Sequence, residues 1–537
     1  MCMPEGLMAL LSNTETAGQE KRILDPWHSR PLDVHRWTDH PELMTVLDSV
    51  WQAHCSALAI KGRSGPKPKQ DFRYQLRVLL LDLYVAWLED PDLSIGVSMS
   101  ENDWHIWSRY NALNISKKII ELIHLLQRVG LIDMARGSYS GPYARTNRIT
   151  RIRAAEPLRA MFQAARATRD DVYQVAGQEC IILKGGDGEE AKLAEYEDTP
   201  ETSRMRAEVT AYNQLLANTF IDIPLLDHPW IEREDGKRVA IDRHHQFVRR
   251  IFSRGDWGCN GRFYGPWWQQ IGSDWRSKIF INDTPTVEVD YKGLHVQILS
   301  AEKGVVLDGD PYELPANLIP GAPPALQRTV VKKLVLTALN ARTRKAAFAS
   351  FREGFPAGHM AKGMTNAELE ALLTRFIEKH PQLEEAICTD QGIRLMNVDA
   401  RIAEIVLRHF TCRGIPVLSV HDSFIIEYNR LLELKHVMSL ASQKVLGKEV
   451  PVSASGPGRD EFQELPLDAQ QDFEGWRETE RSKAYLERLA DWEMKRNKVI
   501  TSYSVALRVN TEMKRRKVRR AYILKIEEKC THQHTNP

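Results

Sequence analysis

Two apolar strands joined by a tight turn are predicted by residues 416–428, PVLSVHDSFIIEY. The turn is the His-Asp-Ser tripeptide, so Asp422 is expected at the tip of a hairpin. Upstream, residues 286–290 (TVEVD) alternate polar and apolar side chains, which predicts a strand that delivers Asp290 at its end and leads into an apolar helix at 296–301. Two aspartates at strand ends, supported by a hydrophobic sheet, are a rigid way to hold hard cations.

Taken alone, either aspartate is better explained as a turn residue, and a His-Asp dipeptide is common by chance. Magnesium prefers oxygen ligands and keeps several waters and substrate phosphates in its shell. Two such ions about 3.5–4 Å apart can activate an attacking hydroxyl and neutralise a leaving pyrophosphate. Asp290 and Asp422 therefore form a candidate two-metal site.

A third segment strengthens this interpretation. Residues 326–351 have an almost uninterrupted helical pattern, with Arg328 and Lys332 on one face at i, i+4. Two cations placed in this way can meet the β- and γ-phosphates of a nucleotide. The alternative is an exposed basic helix, which is less favoured because the cations lie between the two aspartates on a helix rich in Val, Leu and Ala.

In order and spacing, these segments resemble the palm and fingers of the family A DNA polymerases and their relatives, the single-subunit phage-type RNA polymerases. Residues 289–295 (VDYKGLH) resemble motif A, residues 328–341 resemble motif B with its Arg-x3-Lys core, and residues 420–424 (VHDSF) resemble motif C. Residues 260–264 (NGRFY) resemble the Gly-Arg element that contacts the template or primer backbone. The resemblance covers residues 240–450. It implies an α+β right-hand polymerase, with a palm sheet and helical fingers and thumb.

The resemblance also implies roles for individual residues. Ligands of two magnesium ions, for which Mn²⁺ can substitute, would be Asp290, Tyr291 and Asp422, the two aspartates being the catalytic pair. The incoming nucleotide would meet Arg328, Lys332, His295 and Asn340. The primer or template would meet Arg262, Arg276 and His421.

Four positions depart from the family pattern. Asn340 and Ala341 replace the aromatic and the Gly that end the motif B core, which leaves stacking at the insertion site open. His295 stands where the DNA polymerases have a Glu that blocks a ribose 2′-OH and the RNA polymerases have Gly, so its bulk favours deoxynucleotides. Ser423 points the other way, because His-Asp-Ser-Phe is the RNA polymerase form. An exonuclease domain is not expected, since the N-terminal region offers only Asp-Gly-Glu at 187–189.

The N-terminal part predicts a separate DNA-binding domain. A helix at 115–129, a strand at 131–134, a Gly/Ser/Tyr/Arg hairpin at 136–147 and a strand at 148–153 follow the order of a winged helix-turn-helix, a mainly helical fold. The alternative is a small helical domain with a solvated basic edge. The residues expected to contact DNA are Ser116, Lys117, Lys118, Arg145 and Arg148.

Length predicts several domains, because 537 residues exceed one hydrophobic core. We expect a leader with a basic linker (1–70), a winged-helix-like domain (71–165), a thumb-like or connecting region (166–240), the palm and fingers (241–458) and a charged helical extension (459–537). Residues 185–188 (GGDG) read as a plain turn, because no Lys-Ser/Thr pair follows. The basic run at 514–520 is equally a solvated face or a grip on a nucleic-acid backbone.

Bulk composition limits the classes of function. The net charge is only +2, so nucleic acid must be bound by local basic surfaces. No apolar run is long enough for a membrane span, no signal peptide is expected, and the 7 scattered cysteines include no Cys-x-x-Cys pair, so we expect a cytoplasmic monomer.

The leading hypothesis is a DNA polymerase of family A type without proofreading. It would act on DNA, or on RNA, with nucleoside triphosphates, in replication of a mobile element, phage or plasmid. An RNA polymerase or primase-polymerase on the same palm is the alternative. A non-catalytic DNA-binding replication or defence factor is the alternative from another class. A metal-dependent nuclease is weaker, because it has no need for the cations at Arg328 and Lys332.

Overall fold

The computed structural model describes residues 24–60, 72–138, 147–186 and 192–456, except 26, 176, 235 and 308, together with 458, 467, 468, 470, 471, 475 and 478–496. The α-helices, in chain order, are α1 Pro41–Val50, α2 Ser56–Ile60, α3 Phe72–Glu89, α4 Lys118–Arg128, α5 Glu156–Ala164, α6 Pro200–Ala217, α7 Ser273–Arg276, α8 Leu294–Glu302, α9 Pro324–Asn340, α10 Arg344–Glu353, α11 Asn366–Lys379, α12 Gly392–Thr411, α13 Leu431–Leu446 and α14 at 483–496. The strands are β1 Ser29–Pro31, β2 Arg36–Trp37, β3 Ser94–Val97, β4 Ile132–Ala135, β5 Thr150–Ala154, β6 Tyr173–Gln174, β7 Ile181–Gly185, β8 Lys192–Leu193, β9 Ile221–Asp222, β10 Trp230–Glu232, β11 Arg238–Ala240, β12 Arg249–Ser253, β13 Asp256–Tyr264, β14 Phe280–Ile281, β15 Thr284–Tyr291, β16 Leu418–Val420, β17 Ser423–Glu427 and β18 Val452–Ala454.

Several predicted features lie wholly or partly outside the described parts of the chain. They include the leader at 1–23, the basic linker at 61–69, most of the hairpin at 136–147 with Arg145, residues 187–189, and the C-terminal extension at 497–537 with the basic run at 514–520.

A first hydrophobic core lies in the N-terminal part, around a sheet with the order β1-β3-β5-β4. The antiparallel pair β4–β5 forms the predicted hairpin, and α4 leads into it. Residues 24–60 were expected as a leader, but β1 pairs with β3 in this sheet and α1 packs into the same core. The reason is that α1 carries apolar residues at helical spacing, which need a surface to cover them.

The strand β5 differs from its sequence-based description. The arginines at alternate positions of this strand are consistent with the predicted alternative of a solvated basic edge. In the structure, however, every residue of β5 is buried. Arg153 forms an ion pair with Asp92 and lies 3.5 Å from the carboxylate of Asp133. Because buried arginines need carboxylate partners, β5 belongs to the structural core and not to a DNA-facing surface.

A second, larger core surrounds a six-stranded sheet with the order β16-β17-β15-β14-β9, in which β18 also pairs with β15. Helix α6 lies in the region 166–240 and begins after Thr199, whose hydroxyl accepts a hydrogen bond from the Thr202 amide at 3.1 Å. The Tyr212 hydroxyl in α6 donates to the Val417 carbonyl at 2.6 Å, so α6 is tied to the start of the hairpin. The chain is thus mixed α/β.

The single helix predicted at 326–351 is two helices. Ala341 is extended, with ψ 156°, and Thr343 caps the start of α10. The carbonyls of Ala338, Leu339 and Ala341 accept hydrogen bonds from the segment 388–391, which replaces the next helical turn. This long-range partner has no sign in the local pattern.

The charged C-terminal extension packs on the large sheet through α14. Tyr485 is fully buried, and Arg488 makes two hydrogen bonds, of 2.7 and 3.1 Å, to Asp222 on β9. Among the helices of the described ranges, none combines the length and apolarity that crossing a membrane requires.

Candidate active site

The two predicted aspartates meet at one end of the large sheet. The antiparallel register of β15 and β17 places Asp290 opposite Ser423, the residue that follows Asp422. The hairpin closes with Val420 opposite Ser423, so His421 and Asp422 form a two-residue turn. His421 has φ 59°, as such turns demand of the first residue, which is why the hairpin tip is tight.

The carboxylates interact electrostatically. Burial, and then the charge of Asp422, raises the pKa of Asp290 to about 7; Lys332 opposes the shift and Glu288 adds to it. A carboxyl group that is partly buried beside a like charge is a common mark of a functional site. Bringing a cation to Asp290 and Asp422 would relieve the repulsion between them.

The small number of carboxylates at this site fits the binding of magnesium. Within the described ranges, no group of three or more His, Cys, Asp or Glu side chains is arranged to hold a metal ion. Two carboxylates leave most of the shell to water and phosphate oxygens, which is how magnesium is usually bound beside a nucleotide. Tyr291 was predicted as a ligand, but its hydroxyl donates to the Met438 carbonyl at 2.5 Å in the core, so only its main chain can contribute.

Helix α9 presents the predicted phosphate cations. Arg328 and Lys332 are both exposed on α9, and the charge of Lys332 acts on Asp290. Arg328 forms an ion pair with Asp310, a residue that the sequence patterns did not single out. Tyr312 was not singled out from the sequence either. Its ring is buried, and this burial, together with the smaller effect of the negative charge of Asp422, raises the pKa of its hydroxyl. Neither Asp310 nor Tyr312 lies in a periodic segment, so no sequence signal marked them.

Arg262 and His295 converge on a carboxylate that was also missed, Asp399 of α12. Arg262 Nε donates to both oxygens of Asp399, at 2.9 and 3.0 Å, and His295 Nε2 lies 2.9 Å from Asp399 Oδ2. Burial lowers the pKa of Arg262, but the hydrogen bonds that its guanidinium donates to Asp399 outweigh burial and raise the pKa overall. Arg262 is therefore held beside His295, whereas the sequence suggested a cation free to meet a phosphate backbone.

Arg276 is held in the same manner. Its guanidinium donates to both oxygens of Glu288, at 2.9 and 3.2 Å, and Ser423 Oγ donates to Glu288 Oε1 at 2.6 Å. These bonds brace β15 against the hairpin. The predicted contact of Arg276 with primer or template would require this ion pair to open.

His421 has an unused polar atom. Its Nδ1 is buried and finds no hydrogen-bond partner among the described residues, and the ring packs edge-on against Tyr264 with centroids 5.6 Å apart. Burial, and then the charge of Arg262, lowers the pKa of His421, so the ring is neutral at pH 7. A neutral imidazole with a free nitrogen can bond to a ligand that enters the site.

Asn340 does not join the cations of α9. It lies eight residues beyond Lys332, about 12 Å along the helix, and its Nδ2 donates to the Leu336 carbonyl at 2.7 Å. Its side chain packs against Gly392, where an added Cβ would meet Asn340 Oδ1 at 1.6 Å.

The predicted DNA-contacting residues of the N-terminal part are only partly available. Ser116 Oγ accepts from Gln75 Nε2 at 2.6 Å. Lys117 is exposed and pairs with Glu101 at 2.5 Å, Lys118 lies 5.3 Å from the Phe72 ring centroid, and Arg148 stacks on Trp27 at 4.1 Å.

Asp290→Asn is expected to stabilise the metal-free protein by about 1–3 kcal/mol at pH 8. The pKa of Asp290 is higher in the folded than in the unfolded chain, so its ionisation lowers stability as the pH rises to 7 and above. The gain should shrink as the pH falls toward 4. Thermal unfolding with a chelator at pH 5 and pH 8 measures it; an equal Tm for variant and wild type at pH 8 would contradict the expected repulsion.

Asp399→Asn and Glu404→Gln form a matched pair on α12. Each removes the carboxylate that pairs with a buried arginine, Arg262 or Arg250 respectively, so each should lower the free energy of unfolding by about 3 kcal/mol. Only Asp399→Asn releases His295, so only this variant should alter the ratio of dNTP to NTP incorporation. The ratio is measured by competition in single-nucleotide extension. An unchanged ratio would show that Asp399 is purely structural.

No family model matches the chain, and no curated protein matches it. Among solved structures, the chain is similar to the POL domain of Pol1 from M. smegmatis in complex with DNA primer-template and dNTP. The identity is 11%, the TM-score is 0.28, and the match covers 79% of this chain and 67% of that one. A TM-score of 0.28 establishes neither a shared fold nor a shared function.

Proposed function

We propose that this protein is a template-directed nucleotidyltransferase that adds nucleotides to a 3′ end, and that it is a DNA polymerase of family A type without proofreading. The observation that carries the proposal is the register of β15 with β17, which brings Asp290 beside the hairpin tip that holds Asp422. The charge of Lys332 on α9, which lowers the pKa of Asp290, supports it. A triphosphate needs both features, acidic ligands for its metal ions and cations for its outer phosphates.

The residues then have distinct tasks. Asp290 and Asp422, with the main chain of Tyr291, would hold two magnesium ions, which supply Lewis-acid activation of the attacking hydroxyl and neutralise the leaving pyrophosphate. Lys332 binds the outer phosphates as a point charge. Arg328 exchanges its carboxylate partner Asp310 for a phosphate, to which a guanidinium can donate two parallel hydrogen bonds.

The choice of sugar is assigned to His295. Its ring is fixed by Asp399 at the start of α8, and a bulky side chain there favours deoxynucleotides. Ser423 supports the second candidate, an RNA polymerase or primase-polymerase, since its hydroxyl occupies a place where a third carboxylate would stand in the DNA polymerases.

Primer extension with magnesium tests both candidates. We expect the full chain to extend a DNA primer on a DNA template with dNTPs, and to do so at least tenfold faster than with NTPs. Exclusive NTP incorporation would establish the second candidate. No extension with either sugar, on DNA or RNA templates, would favour a non-catalytic DNA-binding factor.

The rest of the chain fits around this site. We assign α6 to a thumb-like or connecting role and the N-terminal core to a winged-helix-like domain that contacts DNA through Lys117, Lys118 and Arg148. Such a domain would recruit a monomeric, cytoplasmic enzyme to a mobile-element, phage or plasmid template.

A further inference from the structure

A groove of about 630 Å³ runs along one face of helix α12, between the first turns of α6, the β12–β13 hairpin and the end of α13. Asn397, Arg401 and Arg408 of α12 line this groove. Asp399, which is buried and holds His295, lies on the opposite side of α12, because two residues turn a helix by about 200°. None of the side chains proposed to bind metal, nucleotide or primer lines the groove, so it is a separate surface.

Positive charge dominates the lining of this groove. The basic side chains are Arg204, Arg250, Arg401, Arg408 and Lys444, and the acidic ones are Glu201 and Glu404. Glu404 forms ion pairs with both Arg204 and Arg250, and Glu201 lies 3.5 Å from Arg204. Both carboxylates are therefore already paired with two of the arginines, and the positive charge of the other three cations remains.

Those three cations are exposed and free to meet a ligand. Arg401 on α12 and Lys444 on α13 form no ion pair with any carboxylate of the described ranges. Arg408 has only a distant partner, Glu208, at 3.6 Å, and an exposed pair of this kind contributes little. Cations that come from two helices and surround one groove raise the local positive potential, which attracts a ligand carrying several negative charges.

An aromatic side chain completes the groove. Trp257 of β13 is half-buried and lines it, and the indole packs edge-on against Tyr196 and Phe252, with centroids 5.0 and 4.8 Å apart. The groove residues of α12 extend over about 16 Å of helix, which suits an extended polyanion better than a single phosphate. Cations that follow a backbone, beside an aromatic ring on which a base can stack, are typical of sites for single-stranded nucleic acid. An acidic polypeptide would use the cations alone.

We propose that this groove binds a single nucleic-acid strand outside the catalytic centre, with Arg401, Arg408 and Lys444 on its phosphates and Trp257 against a base. The strand would be an unpaired stretch of template, held on the side of α12 that faces away from Asp399. A net charge of only +2 means that the chain needs a local basic surface of this kind to hold a strand. The identity of the strand rests on the proposed function, whereas its binding requires neither metal ions nor nucleotide.

Fluorescence anisotropy of a labelled oligo(dT) of about 20 nucleotides, with the full chain in a chelator, tests the proposal. The double variant Arg401→Gln, Lys444→Gln should raise Kd about tenfold or more and reduce the slope of log Kd against log salt by about 1.4, or about 0.7 for each lost phosphate contact. Trp257→Leu should raise Kd about fivefold or more and leave the slope unchanged, because it removes stacking and no charge. The matched control is Arg413→Gln, an exposed arginine just beyond α12 that does not line the groove, with a change of about twofold or less.

Three results would overturn the groove. They are an unchanged Kd and slope in the double variant, an equal loss in Arg413→Gln, and equally tight binding of polyglutamate of the same charge, which would indicate a surface for any polyanion. A protein that extends primers but shows no difference between wild type and the double variant would contradict the groove alone. Oligonucleotide binding that depends on Arg401 and Lys444, without any primer extension, would contradict the proposed polymerase activity alone.

Discussion

Asp422→Asn is expected to reduce the rate of nucleotide incorporation by about 10³-fold or more. The amide removes the negative charge with which Asp422 would hold a metal ion at the hairpin tip, and it keeps the size of the side chain. Asp290→Asn should have a similar effect, and the double variant should be little worse than either, since both carboxylates act as one unit. Single-turnover extension of a labelled primer measures the rates.

Asp222→Asn is the matched control for this experiment. Asp222 lies in the same sheet, on β9, and is almost fully buried, but it pairs with Arg488 at the opposite edge from the hairpin. This variant should lose stability and keep its rate per folded molecule within about threefold. If Asp422→Asn retained a tenth of the wild-type rate, the metal-binding role would be wrong.

Lys332→Ala is expected to lower kcat/KM for the incoming nucleotide by about 10–100-fold. The loss corresponds to the one or two charge-assisted hydrogen bonds that Lys332, whose charge acts on Asp290, would make to phosphate. Steady-state extension over a range of nucleotide concentrations measures it.

The neighbouring lysine provides the control. Lys333 carries the same charge on the same helix, but its Nζ donates to the Gly354 carbonyl at 3.0 Å, on a different face. Lys333→Ala should change kcat/KM by no more than about twofold. An equal decrease in kcat/KM in the two variants would mean that α9 acts on the nucleotide only through its overall positive charge.

The parts of the site that lie in a single strand or helix could be predicted from the sequence, because their side chains repeat with the period of that element. Alternation marked β15 up to Asp290, and two apolar runs around a short polar turn marked the hairpin at Asp422. The i, i+4 spacing placed Arg328 and Lys332 on one face of a helix. Each of these signals depends only on residues that are close in the chain.

The parts that depend on distant partners could not be predicted. Asp399 lies 104 residues after His295, so no local pattern joins them. Arg262 and Arg276 were predicted as primer or template contacts from the resemblance to the polymerase motifs, and the carboxylates that hold them come from other elements. The predicted C-terminal end of α9 was wrong for the same reason. The carbonyls there accept hydrogen bonds from the distant segment 388–391.

The most direct measurement is the anomalous scattering of Mn²⁺ in crystals of the full chain with primer-template and a non-hydrolysable dNTP. We predict two peaks about 3.5–4 Å apart, both in contact with carboxylate oxygens of Asp290 and Asp422, and the triphosphate beside Lys332. No peak at these carboxylates, or a triphosphate bound away from α9, would contradict the two-metal nucleotidyl-transfer site.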